Sequence, residues 1–505
     1  MPSFLRASLL LVAFTHPAAD QFDGTENPVS SIASGAFSVF AADLDGDGDA
    51  DLLSASSFDD VIAWYENTDG SGAFGPRQLI SFTADNATAV AAADLDGDGD
   101  LDVLSTSSGD DKVAWYENTD GLGAFGPQQL ISSTADGAFA VAAADVDGDG
   151  DLDVVAGSFS DDTIAWFENT DGLATFGPGQ TITTAADAFQ SLRATDLDGD
   201  GDLDLLSASI NDDKIAWYPN ADGAGSFGAQ AVITDAVDFA QTVTSADVDG
   251  DGDQDAVAGW FNDGIAWFEN TDGAGGFGPL QVISTALDGV EAVGTADLDG
   301  DGDADVVSSS ANDDRVAWYR NGGAGDFGPQ QTVTTAADFA QIAVAADLDG
   351  DGDLDLASAS FFDDKIAWYE NQLCAATAAA AEVVRLGDPP NPFALLPGVT
   401  SGPVLCETWD PVVDHTSFLP TATIDTLAVA LAPLNFPFPP NGTILCDYFT
   451  FGGTLLLSSP PGVPFTVPIP NQCNLVGATL CAQALSIDGA VTRYTNALDI
   501  TIGTH

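Results

Sequence analysis

The nonapeptide Asp-Leu/Val-Asp-Gly-Asp-Gly-Asp-x-Asp occurs seven times in this chain, beginning at Asp43, Asp94, Asp145, Asp196, Asp247, Asp297 and Asp347. Successive starts lie 51, 51, 51, 51, 50 and 50 residues apart. Such a period assigns each copy to one unit of a repeat architecture. Five carboxylates within nine residues repel one another unless a cation stands between them.

The spacing selects the cation. In the first copy Asp43, Asp45 and Asp47 hold positions 1, 3 and 5, where alternate side chains can turn inward around one ion. Gly48 permits the sharp bend, Asp49 offers its backbone carbonyl, and Asp51 closes the shell at position 9. The same roles fall to Asp94, Asp96, Asp98, Asp100 and Asp102, and to Asp145, Asp147, Asp149, Asp151 and Asp153. They recur at Asp196, Asp198, Asp200, Asp202 and Asp204, and at Asp247, Asp249, Asp251, Asp253 and Asp255. The last two sets are Asp297, Asp299, Asp301, Asp303 and Asp305, and Asp347, Asp349, Asp351, Asp353 and Asp355. Hard oxygen ligands without His or Cys suit Ca²⁺ and disfavour zinc or copper. An EF-hand would need Glu at position 12, where these copies carry Ser or Ala. About seven calcium sites are therefore expected, with dissociation constants of about 10⁻⁴ to 10⁻³ M, as in extracellular modules.

Each loop is flanked by short apolar runs. Ser38–Ala42 precedes the first loop and Leu52–Ala55 follows it. An Asp-Asp pair then leads into Val61-Ile62-Ala63-Trp64-Tyr65, and a glycine-rich turn and Phe74-Gly75-Pro76 lead into Gln78–Ser81. Four short strands per period describe a propeller blade. Seven of the nine tryptophans share one position on the third strand, from Trp64 to Trp368, as a residue packed between neighbouring sheets would. The seventh repeat ends at Asn371 without a Phe-Gly-Pro strand. Val29 lies 14 residues ahead of Asp43, as Ile80 lies ahead of Asp94, so Pro28–Ile32 is placed to supply the missing strand and close the ring.

The Asp-rich loop followed by Phe-Gly-Pro resembles the FG-GAP/VCBS repeat family over about residues 22–372. The resemblance implies an all-β, seven-bladed β-propeller of the integrin-alpha type, with calcium between the first and second strands of a blade. It also implies ligand binding on the opposite face. A calcium loop in every blade is more similar to the bacterial secreted and lectin-like members than to integrins.

The loops on that opposite face join the second and third strands. The fifth, Trp260-Phe261-Asn262-Asp263, is one residue shorter and holds the one repeat tryptophan outside the shared position. Trp260 and Phe261 are the first choice for ligand contact. No catalytic residues are expected: His415 and His505, the histidines outside the first 20 residues, lie beyond the repeats, which also lack Cys.

The formal charge is −69, and 70 of the 79 acidic residues fall within residues 1–372. With no basic patch to meet phosphates, nucleic acid is excluded as a partner. Residues 1–19 read as a secretory signal peptide, with Arg6 before the apolar run Ala7–Phe14. No later run is long enough to cross a membrane as a helix. After an alanine-rich linker, 373–384, the prolines become dense, with 16 of 25 beyond Asn371. Strand-like stretches at Thr423–Leu431, Gly442–Phe449, Gly453–Ser458 and Ala490–Ile502 predict a small C-terminal β-sandwich over 385–505. Cys406–Cys446 and Cys473–Cys481 are plausible disulfides. The expectation is a secreted or cell-surface monomer that binds an extracellular protein or glycan without transforming it. A carbohydrate-binding lectin and a polysaccharide-degrading enzyme are the alternatives.

Overall fold

The computed structural model describes residues 21–262 and 264–372 and, beyond them, chiefly strand segments between 381 and 501. The signal-like segment, Asp263, most of the linker and the cysteine side chains lie outside the described residues. Phe22–Asn371 forms one compact unit.

That unit contains seven four-stranded antiparallel sheets. In blade 1 the strands are Ala36–Ala42, Asp51–Ser56, Val61–Tyr65 and Gln78–Ser81. The first strands of successive blades touch one another, and Ala340–Ala346 of blade 7 touches Ala36–Ala42 of blade 1. The sheets therefore close into a ring around the first strands, as the repeat pattern predicts.

Alternation on the third strand builds the core. Successive strand residues point to opposite faces, so Trp64 packs towards blade 2 and Tyr65 towards blade 7. Every inter-blade layer repeats this exchange of one blade's tryptophan for the next blade's aromatic. The pairs are Trp64 with Tyr116, Trp115 with Phe167, Trp166 with Tyr218 and Trp217 with Phe268. Trp267 with Tyr319, Trp318 with Tyr369, and Trp368 with Tyr65 complete the circle. All seven tryptophans are at most 8% exposed, which fixes their role as core. Gly123, at φ +77°, sits against the indole of Trp64, and a Cβ there would fall 2.2 Å from Cζ2.

Blade 7 takes its fourth strand from the N-terminal segment. Asn27–Ser30 pairs antiparallel with Lys365–Tyr369, matching Asn27 to Trp368 and Pro28 to Ala367. Phe22 bridges Asn371 as Phe74 bridges Asn67 in blade 1, and packs edge-on to Trp318 with ring centres 6.3 Å apart. Phe22 is thus a seventh copy of the Phe-Gly phenylalanine. It escapes notice in the sequence because Asp23, not Gly, follows it.

In the second unit, five antiparallel strands form one sheet in the order Ala381–Arg385, Val491–Thr501, Thr479–Asp488, Ile424–Ala430, Leu455–Ser459. Its first strand starts within the stretch read as linker, and Thr479–Asp488 is a strand that the sequence reading missed. The described residues establish this sheet and stop short of the two packed layers of a sandwich.

Candidate metal centres

Each acidic loop joins the first strand of a blade to its second, and its nine positions are not equivalent. Position 2 is an apolar anchor: Leu44, Leu95, Val146, Leu197, Val248, Leu298 and Leu348 are all buried. Position 9 is the first residue of the second strand and is buried as well. Asp51 Oδ2 accepts from the Leu44 amide at 3.0 Å, and its Oδ1 accepts from the Asn67 amide at 2.7 Å. The same pair of bonds holds Asp102, Asp153, Asp204, Asp255, Asp305 and Asp355.

The remaining positions fold around this anchor. Asp43 receives the amides of Gly46 and Gly48 at 2.8 and 3.0 Å, and Asp47 Oδ1 receives that of Asp49 at 3.0 Å. Carboxylate oxygens of Asp43, Asp45 and Asp51 gather within 4.8 Å of one another. Positions 1, 3 and 9 gather likewise at Asp145, Asp147, Asp153 and at Asp196, Asp198, Asp204. Positions 1, 3 and 5 do so at Asp94, Asp96, Asp98 and at Asp247, Asp249, Asp251, and two further clusters of the kind occur. The position 7 carboxylates turn elsewhere: those of Asp49, Asp100, Asp151, Asp202, Asp253 and Asp303 lie against glycines of their own blade's turn.

Two charges 4.8 Å apart repel by about 3–4 kcal/mol at an effective dielectric of about 20. Three ionised carboxylates so placed, repeated in blade after blade, would outweigh a typical stability of about 5–15 kcal/mol. Protonation or a cation must relieve them. Burial pushes Asp51, Asp102, Asp305 and Asp355 up to about 7, and Asp153, Asp204 and Asp255 up to about 6, despite the amide bonds that oppose it. The buried Oδ1 atoms of Asp94 and Asp147 have no hydrogen-bond donor among the described residues. Orphaned carboxylate oxygens in an all-oxygen cluster fit a hard metal ion. The acidic clusters of the blades can therefore hold metal ions.

A ring of asparagines, absent from the sequence reading, ties the loops together. Asn118 gives its amide to Asp102 of its own blade, while its Nδ2 donates to Leu44 O of blade 1 at 2.8 Å. Asn169, Asn220, Asn270, Asn321 and Asn371 repeat the bridge to the preceding blade, and Asn67 closes it onto Leu348 O of blade 7. These asparagines are at most 1% exposed. Their signal was the recurring residue two places after the Tyr or Phe that ends the third strand, which reads as ordinary turn sequence.

On the opposite face the Asp-Asp pairs are structural. The second member, at positive φ in blades 1 to 4, 6 and 7, binds the neighbouring blade. Asp60 Oδ1 accepts from the Asn86 amide at 3.0 Å, and Asp364 Oδ1 from the Gly35 amide at 2.9 Å. The first member pairs with a nearby base, as Asp59 with Arg77, Asp212 with Lys214 and Asp363 with Lys365. Trp260 is partly buried over Gly264, whose Cβ would fall 1.9 Å from the indole, and Phe261 is half-buried beside it.

The channel mouth on this face breaks the repeat. The second residue of each first strand is Phe37, Thr88, Phe139, Gln190, Gln241, Glu291 or Gln341. Phe37 and Phe139, from blades that are not neighbours, meet with ring centres 5.6 Å apart, and Phe361 lies 6.2 Å from Phe37. Across from them Gln241 Nε2 donates to Glu291 at 2.7 Å. Phe58 and Phe362 stand about 60% exposed at the rim.

Six overlapping matches to the FG-GAP-like repeat cover residues 43–105, 94–156, 145–207, 196–258, 247–308 and 297–358. A closed β-propeller built on acidic inter-strand loops is the class that the fold and sites define. The chain belongs to the FG-GAP-like repeat family.

No curated protein matches the chain. Among solved structures, an Agrocybe aegerita lectin described as recognising non-reducing terminal N-acetylglucosamine is 24% identical, with 59% of this chain and 80% of that one covered at a TM-score of 0.45. BBS1N in complex with ARL6DN is 12% identical, covering 69% and 95% at 0.48. A functionally unknown protein from Desulfotomaculum acetoxidans is 10% identical, covering 61% and 88% at 0.43.

Proposed function

We propose that this chain is a secreted, calcium-loaded propeller that serves as an extracellular binding or adhesion module. The observation that carries the calcium reading is the buried position 9 aspartate, held beside further carboxylates whose oxygens lie within 4.8 Å in blades 1, 3 and 4. Calcium accepts six to eight oxygen ligands in flexible geometry, which suits carboxylates on a loop. Weak sites of this class fill at the millimolar calcium of extracellular fluids, which supports secretion.

The ligand is an extracellular protein or glycan, taken on the face away from calcium. Support comes from the departure from seven-fold repetition there: the Phe37–Phe139 plug, exposed Phe58 and Phe362, and the short loop with Trp260 and Phe261. Aromatic surface beside amide groups suits both peptide and sugar. Binding without catalysis is supported by the Asp-Asp pairs, whose carboxylates serve inter-blade hydrogen bonds and ion pairs.

The test is to probe glycan and matrix-protein arrays with the metal-stripped and calcium-loaded protein. Calcium-dependent retention that Trp260→Ala or Phe58→Ala weakens is expected. Retention indifferent to both calcium and these substitutions would refute the proposal.

A further inference from the structure

The sixth acidic loop differs from the others in what stands opposite it. The residue before the bridging asparagine is Glu66, Glu117, Glu168, Glu269 and Glu370 in blades 1, 2, 3, 5 and 7, and Pro219 in blade 4. These glutamates act electrostatically on the position 3 aspartate, adding to the negative charge that an ion must offset. In blade 6 the residue is Arg320, a swing of two charges.

Arg320 folds over the loop. Its Nε pairs with Asp299 Oδ2, and its Nη2 lies 2.9 Å from Asp301 Oδ2. The guanidinium thus spans positions 3 and 5, two of those that would hold an ion. The backbone beneath it also departs from the pattern. Asp297 Oδ1 accepts from the Asp301 amide at 3.1 Å, whereas in blades 1, 3, 4, 5 and 7 the first aspartate accepts from the glycine at position 4.

A guanidinium stays charged at every physiological pH, and its fixed fork of donors suits two carboxylates at once. A divalent cation entering the same positions would meet a positive charge and find Asp299 Oδ2 and Asp301 Oδ2 already paired, with Asp299 Oδ1 left without a donor among the described residues. We infer that Arg320 is a built-in counter-ion that takes the place of calcium in blade 6, so that the chain binds six calcium ions and not seven. This rests on the calcium reading above.

The experiment is a count. Metal-stripped full-length protein is dialysed against millimolar CaCl₂, and bound calcium per chain is measured by atomic emission. Six ions are expected for the native chain and seven for Arg320→Glu, which restores the residue of the other blades. Arg320→Gln, which removes the charge alone, is also expected to gain the seventh, with circular dichroism checking that both variants are folded. Seven ions in the native chain would overturn the inference while leaving the calcium reading intact, as would six in both folded variants. No bound calcium in the native chain would overturn that reading, and the inference with it.

Discussion

Two aspartates two residues apart in the same loop have different work. Asp204 is buried and accepts the amides of Leu197 and Asn220, 7 and 16 residues away, at 3.0 and 2.7 Å. Asp202 turns its carboxylate towards Gly223 at the surface. Leaving a buried amide unsatisfied costs about 1–3 kcal/mol. Asp204→Ala, which strands two, is therefore expected to destabilise by about 3 kcal/mol in urea denaturation of the metal-stripped protein, and Asp202→Ala by less than about 0.5 kcal/mol. Equal effects would show that position 9 has no special structural role. The sequence displays five like aspartates and hides this division, because position 9 acquires its partners only when the third strand returns alongside.

At the scale of the strand, the closing blade is the point of greatest consequence. Phe22 is 3% exposed and packs on Trp318, so Phe22→Ala is expected to cost about 3–5 kcal/mol, read as a lowered urea midpoint. No change in the midpoint would mean that the N-terminal segment does not seal blade 7. Asn118→Leu removes the donor from Leu44 O and Leu101 O and is expected to cost about 1–3 kcal/mol in the same assay. The blade itself was legible because four short apolar runs recur in each period and the turns between them carry Gly and Asp. Borrowing of Asn27–Ser30 was legible by counting, since Val29 keeps the spacing of Ile80. The asparagine bridge was not, because Asn118 and Leu44 lie 74 residues apart and meet only after two blades have stacked. Arg320 stands where five other blades carry Glu, but its reach to Asp299 and Asp301 arises only when the end of the third strand folds back beside the acidic loop.

Across the whole molecule, the buried position 9 carboxyls make stability depend on pH, and the proposed calcium would add a dependence on cation. In the metal-free protein the position 9 carboxyls are raised to about 6 or 7 by burial, against 3.8 for the ordinary side chain. Between those values the folded state binds more protons than the unfolded chain, so stability falls as pH rises through that window. The urea midpoint of metal-stripped protein is expected to be higher near pH 5 than near pH 7.5, and a midpoint independent of pH would contradict the burial of these groups. The proposed calcium should reverse the trend, because a cation would bind the ionised form. At a tenfold excess over the dissociation constant each ion adds about 1.4 kcal/mol. Six such sites on a propeller of this size should raise the melting temperature by about 10 °C. Thermal melts at pH 7.5, in millimolar calcium and in excess EGTA, test the ion's part in the fold most directly. A rise of that order in calcium is expected, and superimposable melts would contradict it.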